Sequence, residues 1–472
     1  MGMKPSPDLT SHPWFFSGIG GSGMLPLALI LKGIGAVVAG SDRSRDQGRT
    51  PDKFAWLESQ GFALVAQDGS GIHSADQTLV ASAAIEDTVP EVIRARALGC
   101  PRMSRAQLLA TLFNAAPVGI AVGGTSGKST VTGMLGWIMH QAGRQPTIMN
   151  GAVMKNFRSA EVPFASARVG TGEVFVSEVD ESDGSIALYR PHVAVLLNVS
   201  LDHKEMAELR ELFGDFLAAA AHAAVNLDDP ESAALAMRAH TVIGFALDAR
   251  EADISVSQWT AGATGLTATV IDRRDGSEHA LALQMPGRHN LANALAAIAG
   301  AAAGGVPVAV AVTALGSFAG LARRFDVLGT SPSGVTVIDD FGHNPEKCRA
   351  TLRTLKATPG RVIAFFQPHG YGPLRQMGHE LARTFADELG PEDVTLLCDP
   401  VYFGGTVDRT QGSERIVRLI EDRGARAEYL PTREACGARI AALARPGDRV
   451  VVMGARDDTL TTFATELLAK LA

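Results

Sequence analysis

Gly123-Gly124-Thr125-Ser126-Gly127-Lys128-Ser129-Thr130 stands between the apolar run Val118 to Val122 and a helix-like stretch, Val131 to Ala142. A strand, a glycine turn and a helix N-terminus in that order make an anion site. The glycines let backbone N–H groups face phosphates, and the helix dipole adds positive potential. Lys128 has the reach for β- and γ-phosphates, and the Ser129 hydroxyl suits Mg²⁺. Gly124, Thr125, Gly127 and Thr130 complete the loop. The spacing is one residue shorter than the usual G-x-x-x-x-G-K-[ST], because Val122 stands five residues before Gly127. A tight turn alone would account for the glycines. The strand before, the helix after and an acidic cluster further on favour a nucleoside triphosphate, ATP.

Working outward, 472 residues exceed one ordinary domain and predict two or three. A hydrophobic content of 46% with 20% charged residues is that of a soluble globular chain with ample core. A net charge of -7 and the lack of a long basic run argue against a nucleic-acid polymer as partner. Cys100, Cys348, Cys398 and Cys436 lack C-x-x-C spacing and read as reduced thiols of a cytoplasmic protein. Met1 to Pro13 carries no signal pattern. Leu291 to Ala322 is uncharged, yet it is mostly Ala and broken by Gly304-Gly305 and Pro307. It reads as two helices packed on a sheet, with no membrane span.

Trp14-Phe15-Phe16 leads into Gly18-Ile19-Gly20-Gly21-Ser22-Gly23-Met24 and a helix-like run to Leu31. A short strand follows, ending in Ser41-Asp42. G-x-G-x-x-G between strand and helix, with an acid about 20 residues on, marks a diphosphate on a helix N-terminus. It does not name the nucleoside, and an NAD-dependent dehydrogenase is the rival reading. Leu79 to Ala84 is a strand ending in small residues, Ser82 among them, suited to a flat ligand or to a tight turn. Ala115-Ala116-Pro117 reads as a domain boundary.

Beyond the phosphate loop, Val174 to Ser177 runs into Glu178-Val179-Asp180-Glu181-Ser182-Asp183. Carboxylates so close together repel unless cations neutralise them. A second strand, Val193 to Asn198, leads to Asp202-His203. Parallel strands deliver their carboxyl ends to one edge, where Lys128, Ser129, Glu178 and His203 would meet around Mg²⁺ or Mn²⁺. Asn290 and Asn293, one turn apart at a helix start, either bond a planar heterocycle or cap the helix. Later strands at Val335 to Asp340, Val362 to Phe366, Val394 to Leu397 and Val450 to Met453 form another α/β unit.

In order and spacing, G-I-G-G-x-G-M, G-T-x-G-K-[ST], E-x-D-E-S-D, N-x-x-x-D-H, G-R-H-N-x-x-N-A, A-R-R-F-D, D-D-F-G-H-N-P and F-Q-P-H span nearly the whole chain. In these motifs the sequence resembles the Mur ligases, ADP-forming amide ligases of peptidoglycan precursor synthesis. The resemblance implies an α/β protein of three domains. These are a Rossmann-like N-terminal domain (1–115) for a UDP-sugar, a central ATP-binding domain with a mostly parallel sheet (116–320), and a Rossmann-like C-terminal domain (321–472) for the acceptor amine. Carried over, Gly18, Gly20, Gly21, Gly23 and Met24 receive the uridine diphosphate, with Asp42 nearby. Asn290 and Asn293 contact adenine, and Ser129, Glu178 and His203 hold metal. Arg324, Asp340 and His343 complete the ATP and acceptor site, with His343, or an acidic residue near it such as Asp340, a candidate to take the amine proton. Further substrate contacts fall on Ser82, Asp180, Ser182, His369 and Arg375. The implied partners are a UDP-N-acetylmuramate-type donor and an amino acid or peptide acceptor, handled by a monomer or homodimer.

The last third departs from the alanine-adding branch of that family. R-Y-T-R after F-Q-P-H is replaced by Gly370-Tyr371-Gly372-Pro373, with the next arginine at Arg375. A carboxylate fork displaced by two residues is a different clamp. Phe341 stands for a tyrosine, Asn344 for a histidine and Ser126 for a histidine. The expectation is a ligase with an altered acceptor pocket, set against an ordinary alanine-adding enzyme that binds the carboxylate through Arg375, the same chemistry on a substrate outside peptidoglycan, and an inactive nucleotide-binding scaffold.

Overall fold

The computed structural model describes residues 7–82, 85–200, 204–249, 251–262, 264–401, 408–455 and 457–471. Trp14–Ser17 (β1), Val38–Ser41 (β2), Ala63–Val65 (β3), Thr78–Ala81 (β4) and Arg102–Ser104 (β5) form a parallel sheet in the order β3-β2-β1-β4-β5. Strand order reverses between β1 and β4, the crevice where open α/β sheets bind ligands. The loop from Gly18 to Gly23 leaves the carboxyl end of β1 there.

Ten further strands make the central sheet: Val118–Gly123 (β6), Thr147–Met149 (β7), Ala167–Arg168 (β8), Val174–Glu178 (β9), Val193–Leu196 (β10), His222–Asn226 (β11), Val242–Phe245 (β12), Ile254–Ala261 (β13), Leu266–Asp272 (β14) and Ser277–Leu283 (β15). Their order is β15-β14-β13-β12-β11-β10-β6-β9-β7-β8. β10, β6, β9 and β7 run parallel in the middle and are buried on both faces along almost their whole length. Such strands need helices on both sides. The Ala-rich stretch supplies two helices, Arg288–Ala303 and Val308–Leu315, and Gly300 shows why small residues are needed. A Cβ there would come within 2.8 Å of Val195 Cγ2. Among the described residues, no helix is long and apolar enough to cross a membrane.

The last sheet is built from Asp326–Thr330 (β16), Thr336–Asp340 (β17), Val362–Gln367 (β18), Val394–Leu397 (β19), Ala427–Tyr429 (β20) and Arg449–Gly454 (β21). Their order is β16-β17-β21-β18-β19-β20, parallel throughout except for β16 against β17. The helix Pro345–Lys356 follows β17, and Asn344 is its N-cap, accepting from the Lys347 N–H at 2.9 Å. An asparagine at that position is therefore explained locally, since capping residues satisfy an orphan donor of the first helical turn.

By packing, the chain divides into two compact units, one holding nearly all of the first two sheets and the other the last sheet from Leu321 onward together with Ala261–Leu266 and Met285–His289. Within the first unit an apolar core shared by both sheets runs from Trp14, Phe16 and Leu31 through Phe113 to Phe175 and Phe213. Phe113 bridges the two sheets, its ring 5.7 Å from Phe175 and 5.2 Å from Tyr189. The glycine loop after β1 and the phosphate loop after β6 are thus carried on one continuous core, which gives each a fixed platform.

Candidate active site

β10, β6 and β9 are adjacent and parallel, so their carboxyl ends open on one edge. β6 delivers the phosphate loop, β9 delivers Glu178, and Asn198 follows β10 closely. Lys128 begins the helix Lys128–Gln141, whose N-cap is Gly127. Gly124 (φ 138°) and Gly127 (φ 88°) take left-handed backbone that favours glycine. A Cβ on Gly127 would lie 2.7 Å from Asn293 Oδ1, so the missing side chain is what lets Asn293 approach the loop. Asn293 Nδ2 is 3.5 Å from Asn290 Oδ1, and Asn290 is buried.

Asn198, to which the sequence reading gives no role of its own, fastens the loop. Its Oδ1 accepts from Thr125 Oγ1 at 2.7 Å and from the Ser126 N–H at 2.8 Å, while its Nδ2 donates to Ser126 O at 3.1 Å. Ser200 Oγ lies 2.8 Å from the same threonine hydroxyl. The available signal is a polar residue directly after a buried parallel strand. Asn198→Ala removes the three side-chain links and is expected to cost about 2 kcal/mol of stability. ADP binding should weaken roughly tenfold, read by thermal melting and by nucleotide titration.

The acidic cluster is neutralised largely from within the protein. Glu178 Oε2 accepts from Ser129 Oγ at 2.9 Å, and its Oε1 accepts from the Gly151 N–H. Asn150 holds Ser129 from the other side, its Nδ2 donating to Ser129 O at 2.9 Å. Glu181, only 4% exposed, accepts from Lys128 Nζ at 2.8 Å. Asp180 Oδ1 accepts from the Ser182 N–H and hydroxyl at 3.0 and 2.7 Å. Burial works against ionising Asp180, but the Ser182 hydroxyl, Lys128 and Arg105 outweigh it and hold its carboxyl below the ordinary range. Asp183 accepts from the Ser185 N–H at 2.9 Å and faces Arg105 at 4.0 Å. Repulsion within the cluster is relieved because each carboxylate turns to a donor of its own.

A magnesium or manganese ion would find hard oxygen donors here. The Ser129 hydroxyl and the Glu178 carboxylate sit 2.9 Å apart at a helix N-terminus, a donor set that suits such cations. Asp202 and His203 lie outside the described residues. Among the described residues no group of three or more His, Cys, Asp or Glu is placed to hold a metal. Any ion at Ser129 and Glu178 would therefore complete its shell with phosphate oxygens, water or groups outside that set.

After β1, Gly18 turns with φ 79°, and Met24 begins the helix Met24–Gly33 with Gly23 as N-cap. Asp42 Oδ2 accepts from the Gly20 N–H at 2.8 Å, and Oδ1 accepts from the Ser44 N–H at 2.8 Å. The acid of the dinucleotide pattern thus ties the glycine turn with one oxygen and caps the short helix Arg43–Asp46 after β2 with the other. Gly21 N–H donates to Gly18 O at 3.1 Å, closing the loop on itself. At Gly23 a Cβ would stand 3.0 Å from Arg105 Nη1, which places a guanidinium beside the glycine loop. Ser82 follows β4 and is exposed.

In the second unit, Asp340 ends β17 and works as an internal tie. Its Oδ2 accepts from the Phe325 N–H at 2.8 Å, and its Oδ1 from the Gly342 N–H and Thr351 Oγ1, each at 2.8 Å. Arg323 (φ 60°) and Phe325 (φ 50°) both have left-handed backbone and flank Arg324, whose guanidinium stacks 4.3 Å from the Phe341 ring centre. His343 lies 5.2 Å from His369, ring centre to ring centre. His343 Nδ1 is 2.9 Å from Phe341 O, and because a carbonyl only accepts, that nitrogen carries the proton. Burial, reinforced by Lys347, pushes the His343 imidazole down to about 3. It is neutral at physiological pH and weakly basic. Arg375 is half-exposed and paired with Asp408 at 3.3 Å.

Comparison with known proteins places this geometry. Three family models match in succession: "Mur ligase family, catalytic domain" over residues 15–116, "Mur ligase middle domain" over 122–301, and "Mur ligase, glutamate ligase domain" over 323–456. The chain belongs to the Mur ligase family. The UDP-N-acetylmuramate–L-alanine ligase of Clavibacter michiganensis is 36% identical over 454 residues, 94% of this chain and 90% of that one. The enzyme of the same name from Maricaulis maris is 34% identical over 469 residues, 96% of each. Among solved structures, the UDP-N-acetylmuramate-alanine ligase of Thermotoga maritima superposes with a TM-score of 0.80 at 23% identity, over 97% of this chain and 99% of that one. A murein peptide ligase from Psychrobacter arcticus gives 0.72 at 23% identity, over 98% of both. These likenesses confirm the three-domain α/β fold of this Mur ligase.

Proposed function

We propose that this Mur ligase joins the carboxylate of a UDP-N-acetylmuramate-type donor to the amine of an amino acid or peptide, forming ADP and phosphate. The observation that carries the reading is the convergence of Lys128, Ser129 and Glu178 at one helix N-terminus. A carboxylate is a poor electrophile, so ATP first converts it to an acyl phosphate, and the amine then displaces phosphate. Both steps build negative charge on oxygen, which a preorganised ammonium and helix N–H groups offset. Magnesium, held by Ser129 and Glu178 with His203 the further ligand in this assignment, would supply additional Lewis-acid stabilisation.

Gly18, Gly20, Gly21, Gly23 and Met24 would take the diphosphate of the donor, with Asp42 fixing their turn, and Asn290 and Asn293 would take adenine. Arg324 and His343 would serve the ATP and acceptor side, and Asp340 would act by holding the Arg324 turn. With its imidazole pushed down to about 3, His343 suits hydrogen bonding better than removal of the amine proton at neutral pH. Domain limits of 1–115, 116–320 and 321–472 and a cytoplasmic site of action belong to the same reading.

Acceptor choice is where this chain departs from an alanine-adding enzyme. Arg375 faces Asp408, so using it as a carboxylate clamp requires breaking that pair. Amine-dependent ADP release, measured with UDP-N-acetylmuramate over single amino acids and short peptides, tests both halves of the proposal. Turnover with a peptide or an amino acid other than L-alanine supports the altered pocket. Efficient turnover with L-alanine alone refutes it, and no amine-dependent release with any acceptor refutes the donor assignment.

A further inference from the structure

The geometry points to Glu181 as a positioning residue that orients the phosphate-loop lysine and tempers its attraction for nucleotide. This inference rests on the nucleotide reading above and extends it to a residue outside the metal pair. Lys128 is the first residue of the helix Lys128–Gln141, which has no acid in its first turn. An ammonium at the positive end of a helix is electrostatically unfavourable by itself. Glu181 answers it from the turn after β9, its carboxylate 2.8 Å from Lys128 Nζ and its side chain 6% exposed. Gly124 O accepts from the same ammonium at 2.7 Å.

An ammonium has three N–H donors. Among the described residues, Glu181 and Gly124 engage two of them, which fixes the rotamer of Lys128 and leaves one donor direction for a phosphate oxygen. Glu181 is too buried to give up its partner without stranding a charge. The lysine therefore meets phosphate without leaving the pair. Two opposed consequences follow. The fixed ammonium is preorganised for the charge that develops during phosphoryl transfer. The nearby carboxylate also repels bound phosphates, so ground-state nucleotide binding is weaker than the lysine alone would give.

Glu181→Gln keeps an oxygen for Lys128 and removes the charge, whereas Glu181→Ala removes both. Magnesium-ADP titration of the full chain should show roughly threefold or greater tightening in both variants. ADP-release kinetics should rank kcat as wild type, then Glu181→Gln, then Glu181→Ala, with the last down about tenfold or more. A purely structural role predicts lower melting temperatures with unchanged or weaker ADP binding, and no rescue of kcat by glutamine. Either of those results overturns the inference. If Glu181→Ala does not fold, the ADP affinity of Glu181→Gln decides alone. Failure of the wild-type protein to bind magnesium-ADP would instead strike the nucleotide reading, so the two failures are distinguishable.

Discussion

Lys128→Ala is expected to lower amine-dependent ADP release by about a thousandfold. Removing one preorganised donor from a site of developing negative charge typically costs about 2.7–4 kcal/mol in the transition state. Here the lost group is a full charge at a helix N-terminus. The substitution also strands the buried Glu181 carboxylate, and leaving such a charge unpaired costs about 3–5 kcal/mol of stability. The two effects need separating. The double variant Lys128→Ala with Glu181→Gln removes the stranded charge, so it should recover most of the melting temperature and none of the rate. A single variant that turned over near the wild-type rate would remove Lys128 from the chemistry altogether.

Asp340→Ala should be the most damaging substitution in the C-terminal domain. Its carboxylate accepts three hydrogen bonds from groups far apart in the chain, the Phe325 N–H, the Gly342 N–H and the Thr351 hydroxyl. Bonds to a charged group are each worth about 1.5–3 kcal/mol, and the buried donors left behind add their own desolvation cost. A loss of about 4 kcal/mol is expected, measured by denaturant unfolding. Phe325 holds left-handed backbone and donates its N–H to this carboxylate, so losing the tie should move the adjoining Arg324 from its place over Phe341. Turnover should fall with it. Asp340→Asn keeps one acceptor oxygen and should recover part of the stability. Equal loss of rate in Asp340→Asn with full stability would instead assign the carboxylate a direct chemical role.

Lys128, Ser129 and Glu178 were legible because their chemistry is local. A glycine turn between an apolar strand and a helix has few structural outcomes, and an acid at the end of a parallel strand reaches the same sheet edge. The start of the helix Pro345–Lys356 is likewise a local matter, since its capping residue and the acid in its first turn lie within a few positions of one another. The strands Val362 to Phe366 and Val394 to Leu397 stood out as apolar runs of strand length.

Asn198, Glu181 and Asp340 illustrate what the linear chain withheld. Asn198 reads as the tail of a strand, yet it grips a loop more than seventy residues earlier. Glu181 reads as one of four repelling acids, and only its pairing with Lys128 gives it a distinct part. Asp340 reads as part of the ATP and acceptor site beside His343, and only the folded chain shows its oxygens turned to backbone and hydroxyl donors within its own domain. The sequence alone determined the α/β class, the phosphate loop and the ligase family, because these depend on periodicity and on residues adjacent in the chain. Only the tertiary structure decided which charges are paired and which turns are held by remote side chains. Those choices depend on distances between distant segments, and a carboxylate separates from its neighbours or joins a lysine according to where the folded backbone puts it.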